Sequence, residues 1–222
     1  MTAIEQLLQT LLTVLTTLPS LPILYVLQVK GLVFPLYIGV FTLISTFMYH
    51  LSESLEVDWM YLDAVAWHKL DNVSGITFFC SMLIHLMDNS QSSCVFSDPS
   101  DTDLKLELVA LCLVLLMQTK DPWKLVNTFT PIGLFLVLAL GKHVLVQNAR
   151  LNMELLWRGA GFMGIALCCF LRGLKKDYLR TWHGLWHCFG TYAAFYLWQS
   201  VAEPSPISYS HAVWALVGYL GY

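Results

Sequence analysis

Charged side chains are scarce in this sequence. Asp, Glu, Lys and Arg make up only 12% of the 222 residues, whereas a soluble domain carries about 25%. The 12 Lys and Arg are outnumbered by 15 Asp and Glu, and they are spread thinly, which argues against a nucleic-acid-binding surface. Because 57% of the side chains are hydrophobic, the composition excludes an ordinary soluble domain. It predicts an integral, multi-pass protein of the plasma membrane or an endomembrane.

Cysteines in polar segments are also nearly absent. Only Cys94 lies in a polar loop. The others fall inside apolar stretches, where cysteine behaves as a small buried hydrophobe: Cys80, Cys112, Cys168, Cys169 and Cys188. The sequence therefore predicts no disulfide framework and indicates no redox compartment.

Seven runs with few or no charges are each about long enough to cross a ~30 Å hydrocarbon core as a helix. They cover residues 6–28, 31–50, 70–88, 104–119, 124–143, 152–171 and 181–202. Helices are expected because backbone groups in lipid must satisfy their own hydrogen bonds. The predicted fold is all-α, a single domain over residues 1–222 with seven transmembrane helices. The uncharged segment after Pro204 and Pro206 favours a short tail helix over an eighth crossing.

Four ionisable side chains fall at one depth of this predicted bundle. His50 ends the second run, Asp71 begins the third, and His183 and His187 begin the seventh. Since successive helices cross in alternating directions, all four lie on the amino-terminal side of the membrane. Ionisable groups in membrane helices are costly, and they mark functional sites by default.

The histidines in this set have the spacing of metal ligands. His183 and His187 are four residues apart, so both imidazoles project from one helix face and can bind one ion. A third imidazole from His50 would complete a three-histidine Zn²⁺ site with an open position, as in catalytic zinc. Asp71 would then orient the metal-bound water or act as general base. The alternatives are a hydrogen-bonded pair of core histidines and His68 in place of His50.

Two hydroxyls lie one turn before His50 on the same helix, those of Ser45 and Thr46. Either could orient a ligand or stabilise negative charge that develops during a reaction. The alternative is a hydroxyl that bonds back to the carbonyl of the preceding turn.

Small residues mark one face of the run 152–171. Ala160 and Gly164 have the small-xxx-small spacing that allows close contact between membrane helices. The spacing predicts close packing of this helix, either within the chain or between the two copies of a homodimer.

At these residues the chain resembles the myomaker and transmembrane-protein-8 family, within the CREST superfamily of seven-helix membrane hydrolases. That superfamily is marked by Ser-xxx-His in the second helix, Asp in the third and His-xxx-His in the seventh. The matching segments are Tyr49-His50, Leu70-Asp71 followed by Gly75, and His183-Gly184-Leu185-Trp186-His187. A further similar stretch, Gln118 to Gly133, contains Asp121, Trp123, Asn127 and Pro131. The sequence departs from the pattern at the serine, because the spacing places Thr46 there and Ser45 one residue away.

The resemblance implies zinc ligands at His50, His183 and His187, with Asp71 near the metal-bound water. It also implies a function at membrane lipids, by hydrolysis, by membrane remodelling in cell fusion, or by both. The first is a zinc-dependent hydrolase of ceramidase or phospholipase type, which cleaves a lipid amide or ester. The second is a non-enzymatic protein of membrane remodelling in cell fusion, or a scaffold, in which zinc is structural. A lipid receptor is a third, less favoured, interpretation.

Overall fold

The computed structural model describes residues 3–88, 99–146, 150–175, 177–201 and 207–220, so Cys94 lies outside the described residues. Within these ranges the chain forms helices and no β-strand. In chain order the helices are α1 (Ala3–Leu15), α2 (Leu21–Val29), α3 (Val33–Leu55), α4 (Ala64–Leu86), α5 (Pro99–Lys120), α6 (Leu125–Val146), α7 (Met153–Gly173), α8 (Thr181–Leu197) and α9 (Tyr209–Leu220).

Four helical stretches of the described chain are long and apolar enough to cross a membrane. They are Ile4–Val29, Val33–Leu55, Leu125–Leu145 and Met153–Gly173. They coincide with four of the seven predicted runs, as expected of a multi-pass membrane protein. The other three runs are also helical, in α4, α5 and α8, but α8 has only 17 residues and neither α4 nor α5 is among the four stretches. Seven crossings therefore remain a prediction.

The first predicted run, 6–28, is not one continuous helix. A 3-10 turn at Leu18–Ser20 separates α1 from α2. Pro19 lies in this turn and Pro22 lies in the first turn of α2, and neither residue has an N–H to continue the ladder of an α-helix. The hydroxyl of Thr17 donates to the carbonyl of Val14 at 2.7 Å, so a side chain forms a hydrogen bond with one of the last carbonyls of α1.

Helix α7 packs along α8, and α3 packs along α4. The close approach of α7 to α8 depends on Gly159, because a Cβ there would lie 2.6 Å from Cγ of Leu197. The predicted small pair, Ala160 and Gly164, is exposed instead, and a Cβ at Gly164 would meet nothing within 4 Å. The pair therefore makes no close helix contact within the described chain, and its role in a homodimer stays a prediction.

The last predicted run, 181–202, is too long at its carboxyl end. Helix α8 ends at Leu197, and the backbone N–H of Asn152 donates to the carbonyl of Ser200 at 2.7 Å. A short helix, α9, follows where the tail helix was predicted. It packs against α2, and the hydroxyl of Tyr209 donates to the carbonyl of Pro19 at 3.0 Å.

Candidate metal centre

Three helices bring the predicted residues to one level of the bundle. His50 lies in the last two turns of α3, Asp71 in the first turns of α4, and His183 and His187 in the first two turns of α8. Because α4 runs back along α3 after a short connection, the carboxyl end of α3 and the amino end of α4 share one level. The side chains that the sequence predicts at one depth therefore lie at one level of the structure as well.

The imidazoles of His50, His183 and His187 converge. Nε2 of His50 lies 3.0 Å from Nε2 of His187 and 3.3 Å from Nε2 of His183, and one ring nitrogen from each residue lies within 4.8 Å of the others. His50 is fully buried, at 0% exposure. This group could hold a metal ion, and His68 is not part of it.

The geometry of the three rings fits a metal better than a set of hydrogen bonds. A neutral Nε2 offers either one N–H or one lone pair, so His50 can form one good hydrogen bond with its two neighbours, not two. A cation among three lone pairs would satisfy all of them at once. Two nitrogens bound at ~2.05 Å to a tetrahedral zinc stand about 3.3 Å apart, close to the two distances from Nε2 of His50.

Asp71 and Thr46 form the second part of the site. The Thr46 hydroxyl donates to Oδ1 of Asp71, and Thr46 is only 6% exposed. In the described chain Asp71 forms no ion pair with a basic side chain. Asp71 is half-buried, and a carboxylate that accepts from a hydroxyl and is not neutralised by a cation can accept a proton from a neighbouring group.

Ser45 points elsewhere. Its hydroxyl donates to the carbonyl of Thr42 at 3.1 Å and lies 2.9 Å from the hydroxyl of Ser74. Ser45 is fully buried in this contact between α3 and α4. Of the two predicted hydroxyls, that of Thr46 therefore contacts Asp71. That of Ser45 bonds back to the preceding turn of its own helix, which was the alternative role.

Asp177 fixes the first turn of α8, and it is not among the residues predicted for the site from the sequence. One carboxylate oxygen accepts the N–H of Trp182 at 2.9 Å, and the other accepts the N–H of His183 at 2.8 Å. These are among the N–H groups that a helix leaves without partners at its amino end. An Asp a few residues before a predicted helix is a known start signal, so the sequence contained a hint of this contact.

An ion pair links α8 to α3 beside the histidines. The Arg180 guanidinium contacts Oε1 of Glu53, and the Tyr49 hydroxyl donates to the same oxygen at 2.9 Å. Leu179 and Arg180 both have left-handed backbone conformations, with φ of 56° and 55°. The partners are 127 residues apart in the chain, so no local pattern could have predicted their contact.

A cavity of about 580 Å³ adjoins the site. Its lining includes Thr46, Asp71, His183 and His187 at one end. Beyond these residues the walls come mainly from apolar side chains of six helices, such as Leu24, Leu43, Ile76, Phe79, Ile132 and Trp186. A carbonyl group could reach the polar end while a hydrocarbon chain occupies the remainder.

His68 borders the same cavity without joining the metal ligands. Its ring stacks on Trp123, with centroids 3.8 Å apart and an interplanar angle of 11°, and it lies 4.8 Å from the ring of Tyr49. Both His68 and Trp123 line the cavity. The stack thus places the turn between α5 and α6 against the start of α4.

A family model matches residues 5–188 of the chain, and the family is described as a protein of unknown function, DUF3522. The match spans most of the chain and includes every residue predicted for the site. The chain therefore belongs to the DUF3522 family. No curated protein matches the chain significantly.

Proposed function

We propose that this protein is a zinc-dependent hydrolase that cleaves an amide or ester bond of a membrane lipid. The observation that carries the proposal is the convergence of His50, His183 and His187 at the polar end of a largely apolar cavity that Asp71 also lines. The fold that we propose around it is a seven-helix bundle like that of the myomaker and transmembrane-protein-8 family.

Zinc suits this ligand set. Neutral imidazoles bind zinc readily, and three protein ligands leave a position for water or substrate. Bound there, zinc would polarise a lipid carbonyl and lower the pKa of a water molecule to about 7.

Asp71 would act as general base. Its carboxylate takes one proton from the attacking water, and the Thr46 hydroxyl holds the carboxylate in place through the hydrogen bond to Oδ1. The water oxygen bonds to the carbonyl carbon, the C–N or C–O bond breaks, and Asp71 returns the proton to the departing nitrogen or oxygen. The products are a fatty acid and an amine or alcohol, so atoms and charges balance.

The placement of the polar residues on α4 and α8 is compatible with further crossings by these two helices, and we propose that α5 crosses as well. Polar residues of a membrane helix face the interior of the bundle, and Asp71 on α4 and His183 and His187 on α8 line the cavity. Helices whose polar residues face inward need fewer apolar residues overall than helices surrounded by lipid. We propose that lipid enters the cavity sideways, from the membrane.

The test is metal content together with lipid turnover. Purified protein should hold about one zinc per chain, and it should release fatty acid from at least one of a set of ceramides, phospholipids and glycosylphosphatidylinositol lipids, as measured by mass spectrometry. His183→Ala should lower bound zinc at least tenfold and abolish release. His211→Ala is the matched control, because His211 is exposed on α9. Unchanged zinc in both His183→Ala and His50→Ala would refute the site.

A specific contact pattern favours a second function, in membrane remodelling. Helix α3 packs chiefly on α4, and α8 packs chiefly on α7, whereas the histidines and the Arg180–Glu53 pair join α3 to α8 directly. A metal at this point would be a structural clip between two halves of the bundle. Zinc without any lipid product, together with multinucleated cells after forced expression in fibroblasts, would favour this function over hydrolysis.

A further inference from the structure

Glycines lie one turn deeper in the cavity than the reactive side chains. On α4, Gly75 follows Asp71 by four residues, and on α8, Gly190 follows His187 by three. Both glycines line the cavity. Residues at these spacings share a helix face, so each glycine continues the wall that begins at the site.

These two glycines leave space unused. A Cβ at Gly190 would meet nothing within 4 Å although the residue is buried, and a Cβ at Gly75 would meet only Cγ2 of Thr42, at 3.9 Å. By contrast, a Cβ at Gly159 would clash with Leu197 at 2.6 Å. Gly159 therefore permits a close helix contact, whereas Gly75 and Gly190 do not. Glycine inside a helix costs about 1 kcal/mol relative to alanine, so local helix stability does not explain them.

The open space ends about two turns beyond the site. At Gly39 on α3, a Cβ would lie 2.8 Å from Cδ2 of Leu24 and 3.0 Å from Cε2 of Phe78, so the wall is closely packed there. Phe78 follows Asp71 by seven residues, which is about 10 Å along a helix. The open space beside Gly75 and Gly190 thus extends about 10 Å from the reactive groups toward the middle of the bundle.

We propose that Gly190 and Gly75 form the walls of a passage for one straight acyl chain, and that Gly190 determines whether a long chain can enter. The occupant is hydrocarbon because the walls of this part are mainly apolar, and the Thr42 hydroxyl beside Gly75 already bonds to the carbonyl of Ile38. The position of the reactive bond rests on the proposed function. The passage itself does not, because a protein that binds lipid without hydrolysing it would need the same space.

Photo-crosslinking tests the passage without requiring turnover. The probe is a palmitic acid that carries a diazirine in mid-chain and a terminal alkyne, added to the full chain in lipid nanodiscs. Crosslinked peptides are mapped by mass spectrometry. We expect the native chain to be labelled at cavity residues such as Phe79 and Trp186. Gly190→Leu should reduce that labelling roughly tenfold, since a leucine overfills the passage, and Gly190→Ala should reduce it less.

Gly161→Leu is the matched control, because Gly161 is exposed on α7 and a Cβ there would meet nothing within 4 Å. It should label as the native chain does, and all variants should have the metal content of the native chain. Gly75→Leu probes the other wall and replaces Gly190→Leu if that variant fails to fold. Equal labelling of the native chain, Gly190→Leu and Gly75→Leu would overturn the proposal. Labelling of lipid-facing residues alone would also overturn it.

The two proposals can fail separately. If Gly190→Leu removes the labelling of the cavity and no lipid is hydrolysed, the passage is supported and the hydrolase is refuted. If Gly190→Leu hydrolyses long-chain and short-chain lipids at native rates, the hydrolase is supported and the passage is refuted.

Discussion

Two aspartates near opposite ends of α4 differ in what surrounds them. Asp71 and Asp88 are 17 residues apart in the sequence, or about 25 Å along a helix. Asp88 is 8% exposed, its Oδ2 accepts the backbone N–H of Arg150 at 3.2 Å, and its carbonyl accepts from Nζ of Lys142 at 3.3 Å. Asp71 instead accepts from the Thr46 hydroxyl and borders a cavity.

This difference separates a structural acid from a reactive one. The groups around Asp88 belong to α4, α6 and the connection to α7, and they hold these elements together. Asp71 joins α4 to α3 through one hydroxyl, and it has space beside it that a substrate could occupy. Burial of an acid is therefore insufficient to mark a site, and an adjoining cavity is the more informative sign.

Removal of the negative charge from Asp71 should have the largest effect on function. Asp71→Asn keeps the shape of the side chain and its contact with Thr46, but it cannot accept a proton from water. We expect lipid hydrolysis to fall by about 10²–10⁴-fold, with zinc content unchanged. Asp88→Asn is the control and should hydrolyse at the native rate. Hydrolysis in Asp71→Asn within about threefold of native would remove Asp71 from the reaction.

Asp177 should influence metal affinity through the first turn of α8. Asp177→Ala leaves the N–H groups of Trp182 and His183 without their acceptors, so the His183 ring loses its fixed position. Loss of such outer contacts commonly costs about 10–100-fold in metal affinity. Zinc competition with a chelator measures this affinity. Asp177→Asn retains one acceptor, so its zinc affinity should lie between those of the native chain and Asp177→Ala. Native affinity in Asp177→Ala would mean that packing alone orients His183.

The helices and the level of the site could be predicted from the sequence, because apolar runs and alternating crossings depend only on the order of residues. Helix ends were less predictable. The run 181–202 gave no sign that α8 would stop at Leu197, since Trp198 to Val201 contain no charge and no Pro or Gly that would end a helix. The break at Leu18–Ser20 did have a sign in the sequence, the prolines Pro19 and Pro22, which the length and hydropathy of the run do not register.

The orientation of side chains within the site could not be predicted. Ser45 and Thr46 are adjacent, so they point about 100° apart around α3, and only the packing of α3 on α4 decides which one meets Asp71. The contact of Arg180 with Glu53 likewise depends on tertiary structure. Sequence spacing identified the three converging histidines because His183 and His187 share one helix face and His50 lies at their depth.

Asp88 should matter for stability and not for metal. Asp88→Ala removes the acceptor of the Arg150 N–H and leaves that group without this bond. We expect the free energy of unfolding to fall by about 1–3 kcal/mol, measured by thermal or denaturant unfolding in detergent. Zinc content should equal that of the native chain. Loss of zinc in this variant would mean that the two ends of α4 are coupled, which the comparison of the two aspartates does not predict.

The smallest effects should distinguish the two neighbouring hydroxyls. Thr46→Val keeps the shape of the side chain and removes the donor to Asp71, so hydrolysis should fall by roughly threefold to tenfold, while Thr46→Ser should retain most of it. Ser45→Ala should leave hydrolysis unchanged, because the Ser45 hydroxyl contacts Ser74 and the Thr42 carbonyl and not Asp71. Rates of fatty-acid release on the same lipid measure all three. If Ser45→Ala were slower than Thr46→Val, α3 would have to be rotated in the active protein, so that its serine and not its threonine faces the carboxylate.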